Sequence, residues 1–299
     1  MDKFNVFTHI AERTGGSIYV GVVGPVRTGK STFIKRFMDL YVMPNITDTY
    51  LKERTRDELP QSGAGRTITT TEPKFVPDEP VEIMFEEQTR ATIRLVDCVG
   101  YTVINAKGYE DEDGPRLVRT PWFEHPIPFQ EAAELGTRRV ISEHSTIGLV
   151  VTTDGSITDL ERTDYAEPEN RVVQELKALG KPFVVVLNSI HPQSPETQAL
   201  AAELRDRYGV TVVPLDCLRM SKEDILSLFA EVLMEFPIRE FNVRLPRWVE
   251  ELERDHWLRH LYEDLAWETV TQLEKVKDVK AVALERFQES EHVQVVALE

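Results

Sequence analysis

The chain has 299 residues, 41% hydrophobic and 29% charged, enough for one large α/β domain or a domain of about 200 residues with an appendage. Its formal charge of −16, from 51 acidic against 35 basic residues, repels nucleic acid and anionic lipid, so no nucleic-acid partner is expected and a membrane would be reached only through a partner. No run approaches the roughly 20 apolar residues of a membrane span, Asp2, Lys3, Glu12 and Arg13 exclude a signal peptide, and Cys98 and Cys217 suit free thiols in a reducing cytosol.

Short β-branched runs alternate with amphipathic segments, the pattern of a mostly parallel sheet covered by helices. Strands are predicted at Ser17–Val23, Val81–Phe85, Thr92–Val96, Ile147–Thr152, Phe183–Asn188 and Thr211–Leu215, and helices at Lys30–Leu40, Pro128–Ser142, Glu167–Leu179, Pro195–Tyr208 and Ser221–Glu235. The first strand runs into Gly24-Pro25-Val26-Arg27-Thr28-Gly29-Lys30-Ser31, a GxxxxGK[ST] loop followed by a helix, which is the right context at both ends for a phosphate-binding P-loop. Gly24 and Gly29 let successive N–H groups converge on a β-phosphate, while the next helix presents its positive N-terminus to the same charge. Lys30 would sit between β- and γ-phosphates and Ser31 would ligate Mg²⁺, with Thr28 and Thr32 completing the expected nucleotide contacts.

Arg66–Pro73 (RTITTTEP) then lies where a switch loop would bring a threonine hydroxyl to the metal, and three adjacent threonines leave open which one. Only six residues separate Val81–Phe85 from Thr92–Val96, too few for a crossover helix, so the two must pair antiparallel. A parallel sheet with one such hairpin is the arrangement of Ras-like, TRAFAC-type GTPase folds, and the expected class is therefore an α/β P-loop NTPase of GTPase-like topology. The second strand of the hairpin ends in Asp97, followed three residues later by Gly100; Asp97 should hold a Mg²⁺-bound water and the Gly100 N–H should meet the γ-phosphate. Tyr101 stands where Ras-type enzymes place a water-orienting glutamine, which predicts slow intrinsic turnover. The insertion Lys107–Glu134 carries Tyr109, Trp122, Phe123 and Phe129 and is either a relay to a partner surface or an ordered lid.

After the strand ending in Asn188, a guanine-selective protein would read Asn/Thr-Lys-x-Asp, whereas this chain reads Asn188-Ser189-Ile190-His191. Without that aspartate the main reason to prefer GTP is gone, and Asn188 is left either to touch the base or to brace the P-loop. Residues 1–237 are expected to form the nucleotide domain. Residues 238–299 read as a connector and a helical segment, Arg247–Phe287, with a strand beginning at His292–Leu298.

The stretches IAERTGG (Ile10–Gly16), GVVGPVRTGKSTF (Gly21–Phe33), TTEPKFV (Thr70–Val76), RLVDCVGYT (Arg94–Thr102), KGYEDEDGP (Lys107–Pro115) and EHSTIGLVVTT (Glu143–Thr153) resemble the stage IV sporulation protein A family through essentially the whole chain. The resemblance implies an ATPase on a GTPase-like fold that uses ATP and Mg²⁺ to assemble into a static polymer, the basement layer of the spore coat. Lys30 matches the family's P-loop lysine, Asp97 its acidic Mg²⁺-site residue, and Thr70 and Thr71 its sensor threonines, Thr70 joining Ser31 and Asp97 as a metal ligand. It further implies other copies of the chain, coat proteins and a small amphipathic membrane-bound peptide as partners. The expected location is the mother-cell cytoplasm, peripheral on the outer forespore membrane. Family members are longer, so a later region tied to assembly is expected beyond Glu299. Two other functions fit parts of the same sequence: a regulatory GTPase with a degenerate base motif, and a small-molecule kinase, for which His125, His144 and His191 are the nearby candidate bases.

Overall fold

The structure, a computed structural model, describes residues 6–60, 73–85, 89–103, 110–111, 114–120, 123–238, 240, 242–244, 247–279 and 282. Among these the strands are β1 (Ser17–Val23), β2 (Lys74–Phe85), β3 (Thr89–Asp97), β4 (Glu110–Asp111), β5 (Gly114–Pro115), β6 (Leu117–Val118), β7 (Ile127–Pro128), β8 (Ile147–Thr153), β9 (Phe183–Asn188) and β10 (Val212–Leu215). The helices are α1 (Val6–Arg13), α2 (Lys30–Phe37), α3 (Thr49–Glu58), α4 (Phe129–Arg139), α5 (Arg162–Ala178), α6 (Pro195–Tyr208), α7 (Lys222–Met234), α8 (Arg247–Glu250) and α9 (Trp257–Gln272).

Six strands form one sheet in the order β10-β9-β8-β1-β3-β2. β1 lies inside it, parallel to β3 on one side (Val20 opposite Leu95) and to β8 on the other (Val20 opposite Ile147). Every residue of β8 and of β9 is buried, which is why both read as unbroken apolar runs rather than as alternating ones. The predicted hairpin is present: β2 and β3 pair antiparallel from Phe85–Thr89 to Lys74–Asp97, with a register shift between Val76 and Val81. β2 is longer than the sequence suggested because it is the edge strand, where Pro77 and Pro80 cost no ladder hydrogen bond. The insertion after β3 contributes two short antiparallel ladders, β4–β5 and β6–β7.

Helices cover the sheet through local chemistry that is easy to trace. α6 is capped by Ser194, whose hydroxyl accepts from Thr197 N, opens with Pro195, and ends on Gly209 at φ 60°. α3, which periodicity did not reveal, is capped by Asp48 accepting from Leu51 N at 2.8 Å. α1 was equally unexpected; it buries Phe7 and Ile10, and the Phe7 ring lies 5.5 Å from Tyr41 and 5.0 Å from Phe229. The predicted helices Lys30–Leu40 and Pro128–Ser142 are each an α-helix that widens into a π turn, at Met38–Val42 and Val140–His144.

The chain divides into two compact units, Met1–Val232 and Leu233–Glu299. In the second, the expected long helical stretch is broken: α8 is followed by a turn and then by α9. Glu235 is buried there and accepts from Lys275 at 2.7 Å and Lys277 at 2.8 Å, and Pro237 bridges Lys275 antiparallel. The strand expected at His292–Leu298 lies outside the described residues.

Candidate nucleotide site

Parallel strands deliver their C-terminal ends to one edge of the sheet, and there β1, β3 and β9 end in Val23, Asp97 and Asn188. The loop after β1 depends on glycine twice. Gly24 has φ 138° and a Cβ there would overlap the Val151 carbonyl oxygen; Gly29 has φ 94° and a Cβ would overlap the Asn188 amide. Thr28 is buried, its hydroxyl donating to Pro25 O at 2.9 Å. Its own carbonyl accepts from Asn188 Nδ2 at 3.0 Å, while Asn188 Oδ1 accepts from Cys217 N at 3.0 Å. Both ends of the Asn188 amide are thus committed to protein, and the residue braces the loop.

Lys30 opens α2 with its ammonium buried and turned back on the loop, donating to Pro25 O at 2.6 Å and to Gly24 O at 3.3 Å. Burial lowers its pKa from the ordinary lysine value, against the opposing pull of Cys98 and Asp97. Ser31 Oγ donates to Asp97 Oδ2 at 2.9 Å, so the hydroxyl and carboxylate expected at the metal already face each other. The other oxygen of Asp97 is buried and has no hydrogen-bond partner among the described residues. Burial raises the Asp97 pKa, although the Lys30 charge, the Ser31 hydroxyl and the Lys74 charge all favour the carboxylate. Thr32 follows in the first turn of α2, partly exposed, and Thr70 and Thr71 lie outside the described residues.

Gly100, at φ 94°, approaches so closely that a Cβ would overlap the Gly24 carbonyl oxygen and crowd Lys30 Nζ. The next residue ties the two segments together: Tyr101 N donates to Gly24 O at 3.2 Å and Val26 N donates to Tyr101 O at 2.9 Å. The Tyr101 side chain points away from the phosphate loop into the core, where its hydroxyl donates to Glu175 Oε2. Of the three histidines considered as bases, His125 and His191 are exposed, and His144 stands edge-on to Phe75 just before β8, at the opposite edge of the sheet from the loop.

Sequence reasoning missed two groups here. Asp154, just past β8, accepts from Ser156 N at 2.9 Å, Ser156 Oγ at 2.6 Å and Thr197 Oγ1 at 3.0 Å, while Ser156 Oγ accepts from Ile190 N at 3.1 Å. Burial would raise its pKa, but hydrogen bonds from Ser156, Ser189 and Thr197 prevail and hold it below the usual carboxylate value. The only hint was an aspartate-glycine pair at the end of an apolar strand. The link from Tyr101 to Glu175 had no sequence signal at all.

A glycine-hinged phosphate loop between a buried strand and a helix, faced by a carboxylate from the adjacent strand and set in a parallel sheet with one antiparallel pair, defines a P-loop nucleoside triphosphatase of GTPase-like topology. The chain belongs to the stage IV sporulation protein A family. The family's ATPase domain matches residues 1–237 and its middle domain residues 238–299. Stage IV sporulation protein A of Bacillus subtilis (strain 168) is 54% identical over 298 residues, covering 100% of this chain and 60% of its own length. The Bacillus anthracis protein of the same name is 55% identical, covering 94% and 57%, and that of Clostridioides difficile (strain 630) 49% identical, covering 97% and 59%. The chain therefore spans less than two thirds of the curated relatives it matches. Among solved structures, the complex of SsGBP with GDP covers 72% of this chain and 48% of its own at 15% identity and a TM-score of 0.39, a likeness too loose to bear on function. Fold, site and family together make this a sporulation-family protein with a nucleotide-hydrolase domain. Among the described residues no helix is long and apolar enough to cross a membrane.

Proposed function

We propose that the chain binds ATP with Mg²⁺ at Gly24, Thr28, Gly29, Lys30, Ser31 and Thr32 and hydrolyses it slowly, and that in the whole protein this turnover drives self-assembly into the basement layer of the spore coat. The observation that carries the catalytic part is the pairing of Ser31 with Asp97, one of whose oxygens is buried without a partner among the described residues, next to the Lys30 ammonium. A buried carboxylate oxygen left unmatched is costly unless a cation or a water meets it, so the donor set suits a hard cation. Ser31 and Asp97 would hold Mg²⁺, with Thr70 as a further ligand, and the ion when bound would neutralise charge on the β- and γ-phosphate oxygens.

The protein's own groups do the rest. Lys30 is held at the loop by two carbonyls and exchanges them for phosphate oxygens, a better match for an ammonium in a buried site. Gly100 presents its N–H to the γ-phosphate. Tyr101 offers no group to orient water, because its hydroxyl is committed to Glu175, and this supports slow turnover. ATP rather than GTP is favoured because the guanine-reading position is taken by the exposed His191, and the neighbouring carboxylate, Asp154, is already engaged by Ser156 and Thr197. Association with coat proteins, a mother-cell location, and attachment to the outer forespore membrane through a small amphipathic peptide complete the proposal; the name of the 54% identical Bacillus relative, stage IV sporulation protein A, supports the sporulation setting.

Phosphate release from Mg·ATP, with ATP and GTP in competition, tests this reading. The parent chain should release phosphate with no added acceptor and should prefer ATP. Thr70→Ala combined with Thr71→Ala should bind ATP normally and release no phosphate. Parental turnover in the double variant would remove the sensor role, and a clear preference for GTP would favour a regulatory GTPase instead.

A further inference from the structure

Tyr101 is placed between the phosphate loop and helices α4 and α5, and its contacts on both sides are specific. Its backbone is held by Gly24 O and Val26 N, directly after Gly100, where an added Cβ would crowd Lys30 Nζ. Its ring is buried in the core cluster that also contains Val140 and Ile141, after α4, and Val172, Val173 and Leu176 of α5. Its hydroxyl donates to Glu175 of α5. Glu175 in turn accepts from Arg138 of α4 at 3.2 Å through its other oxygen. Arg171, one turn before Glu175, lies 5.2 Å over the Tyr101 ring and forms two parallel bonds to Glu134 of α4, at 2.8 and 2.7 Å. Arg138 and Arg171 reach solvent, so a polar path runs from the Tyr101 hydroxyl to the surface of α4 and α5.

We propose that Tyr101 is a positioning residue: its bond to Glu175 fixes the Gly100 N–H for the γ-phosphate and couples the occupancy of that phosphate to the α4–α5 surface. The reading rests on ATP being the ligand of the P-loop. The physical reason is the division of labour in the site. The phosphate loop is shaped by Gly24, Gly29 and the Asn188 brace, and among the described residues the Tyr101 hydroxyl bonds to Glu175 rather than to that loop. Gly100 has no side chain to anchor it, and its placement falls to the residue that follows. A γ-phosphate that shifts Gly100 must therefore move Tyr101, and a phenol locked to a carboxylate on α5 passes that movement to the ladder of Glu175, Arg138, Arg171 and Glu134. Sequence put a tyrosine where a water-orienting glutamine was expected; the geometry gives that tyrosine a different task.

Tyr101→Phe keeps the buried ring and deletes only the hydroxyl, and Glu175→Gln keeps the size of the acceptor while removing its charge. Each should lower kcat for ATP about tenfold with KM changed less than about twofold, the pattern of an interaction felt in the transition state. The double variant should be no slower than the slower single one, since both act on the same link, one by deleting the donor and the other by weakening the acceptor. Amide hydrogen exchange across Phe129–Arg139 and Arg162–Ala178 should respond to ATP in the parent and no longer respond in either variant. Parental kcat and a parental exchange response in the folded variants would overturn the coupling, and Glu175→Gln decides the matter if Tyr101→Phe does not fold. A parent chain that neither binds nor hydrolyses ATP is a separate result, which removes the ATP reading itself.

Discussion

Asp97 and Lys30 are opposite charges, both buried, each felt electrostatically by the other. Burial raises the carboxyl pKa of Asp97 and lowers the ammonium pKa of Lys30, so both groups resist their charged forms in the nucleotide-free site. For Asp97 the sign is clear: the folded state holds its proton more tightly than the unfolded chain. That stabilisation is complete below the ordinary carboxylate value of 3.8 and is lost as pH rises through the higher folded value. At neutral pH the ionised carboxylate therefore weakens the nucleotide-free fold. Asp97→Asn should melt above the parent at pH 7, each kcal/mol so gained raising the melting temperature of a domain of this size by about 2–4 °C. The gap should close on acidification, and ATP hydrolysis should be lost. Thermal melts of both proteins across pH check this, and a variant that melts lower than its parent at pH 7 would contradict it.

At the scale of elements, the site is an edge where three strands and one helix are stapled by few bonds. Asn188 is the clearest staple, joining the P-loop at Thr28 to the loop after β10 at Cys217. Asn188→Ala would leave a carbonyl and an N–H unmatched in a buried place, at a cost of about 2–4 kcal/mol, and ATP affinity should fall with it; denaturant unfolding and nucleotide titration measure the two effects. The elements that carry local signals were legible in sequence. α6 agrees end to end because Ser194, Pro195 and Gly209 are its cap, its first residue and its stop. The phosphate loop was legible for the same reason, a contiguous motif between a strand and a helix. α5 begins at Arg162 rather than Glu167 because Pro168, a natural helix opener, is accommodated in the helix interior. α1 was missed because eight residues are a short window for the helical period, although Val6, Phe7, Ile10 and Ala11 do share one buried face. The Tyr101–Glu175 link joins residues 74 positions apart, and no motif records such a distance.

Across the whole molecule, a nucleotide unit is followed by a second unit in which Trp248, Trp257 and Trp267 each expose more than half their surface. A net charge of −16 leaves the chain ill suited to anionic lipid by itself, in keeping with the proposal that membrane contact passes through a partner. On the proposed reading, a triphosphate approaching so acidic a chain would find its positive charge at the P-loop, in Lys30, the α2 N-terminus and a divalent cation. Titration calorimetry of the folded chain with ATP, with Mg²⁺ present or chelated, tests that claim most directly. Saturable uptake of one ATP per chain that needs Mg²⁺ and vanishes in Lys30→Ala is the expected result. Folded protein that takes up neither ATP nor GTP in the presence of Mg²⁺, or Lys30→Ala binding as tightly as the parent, would contradict the account.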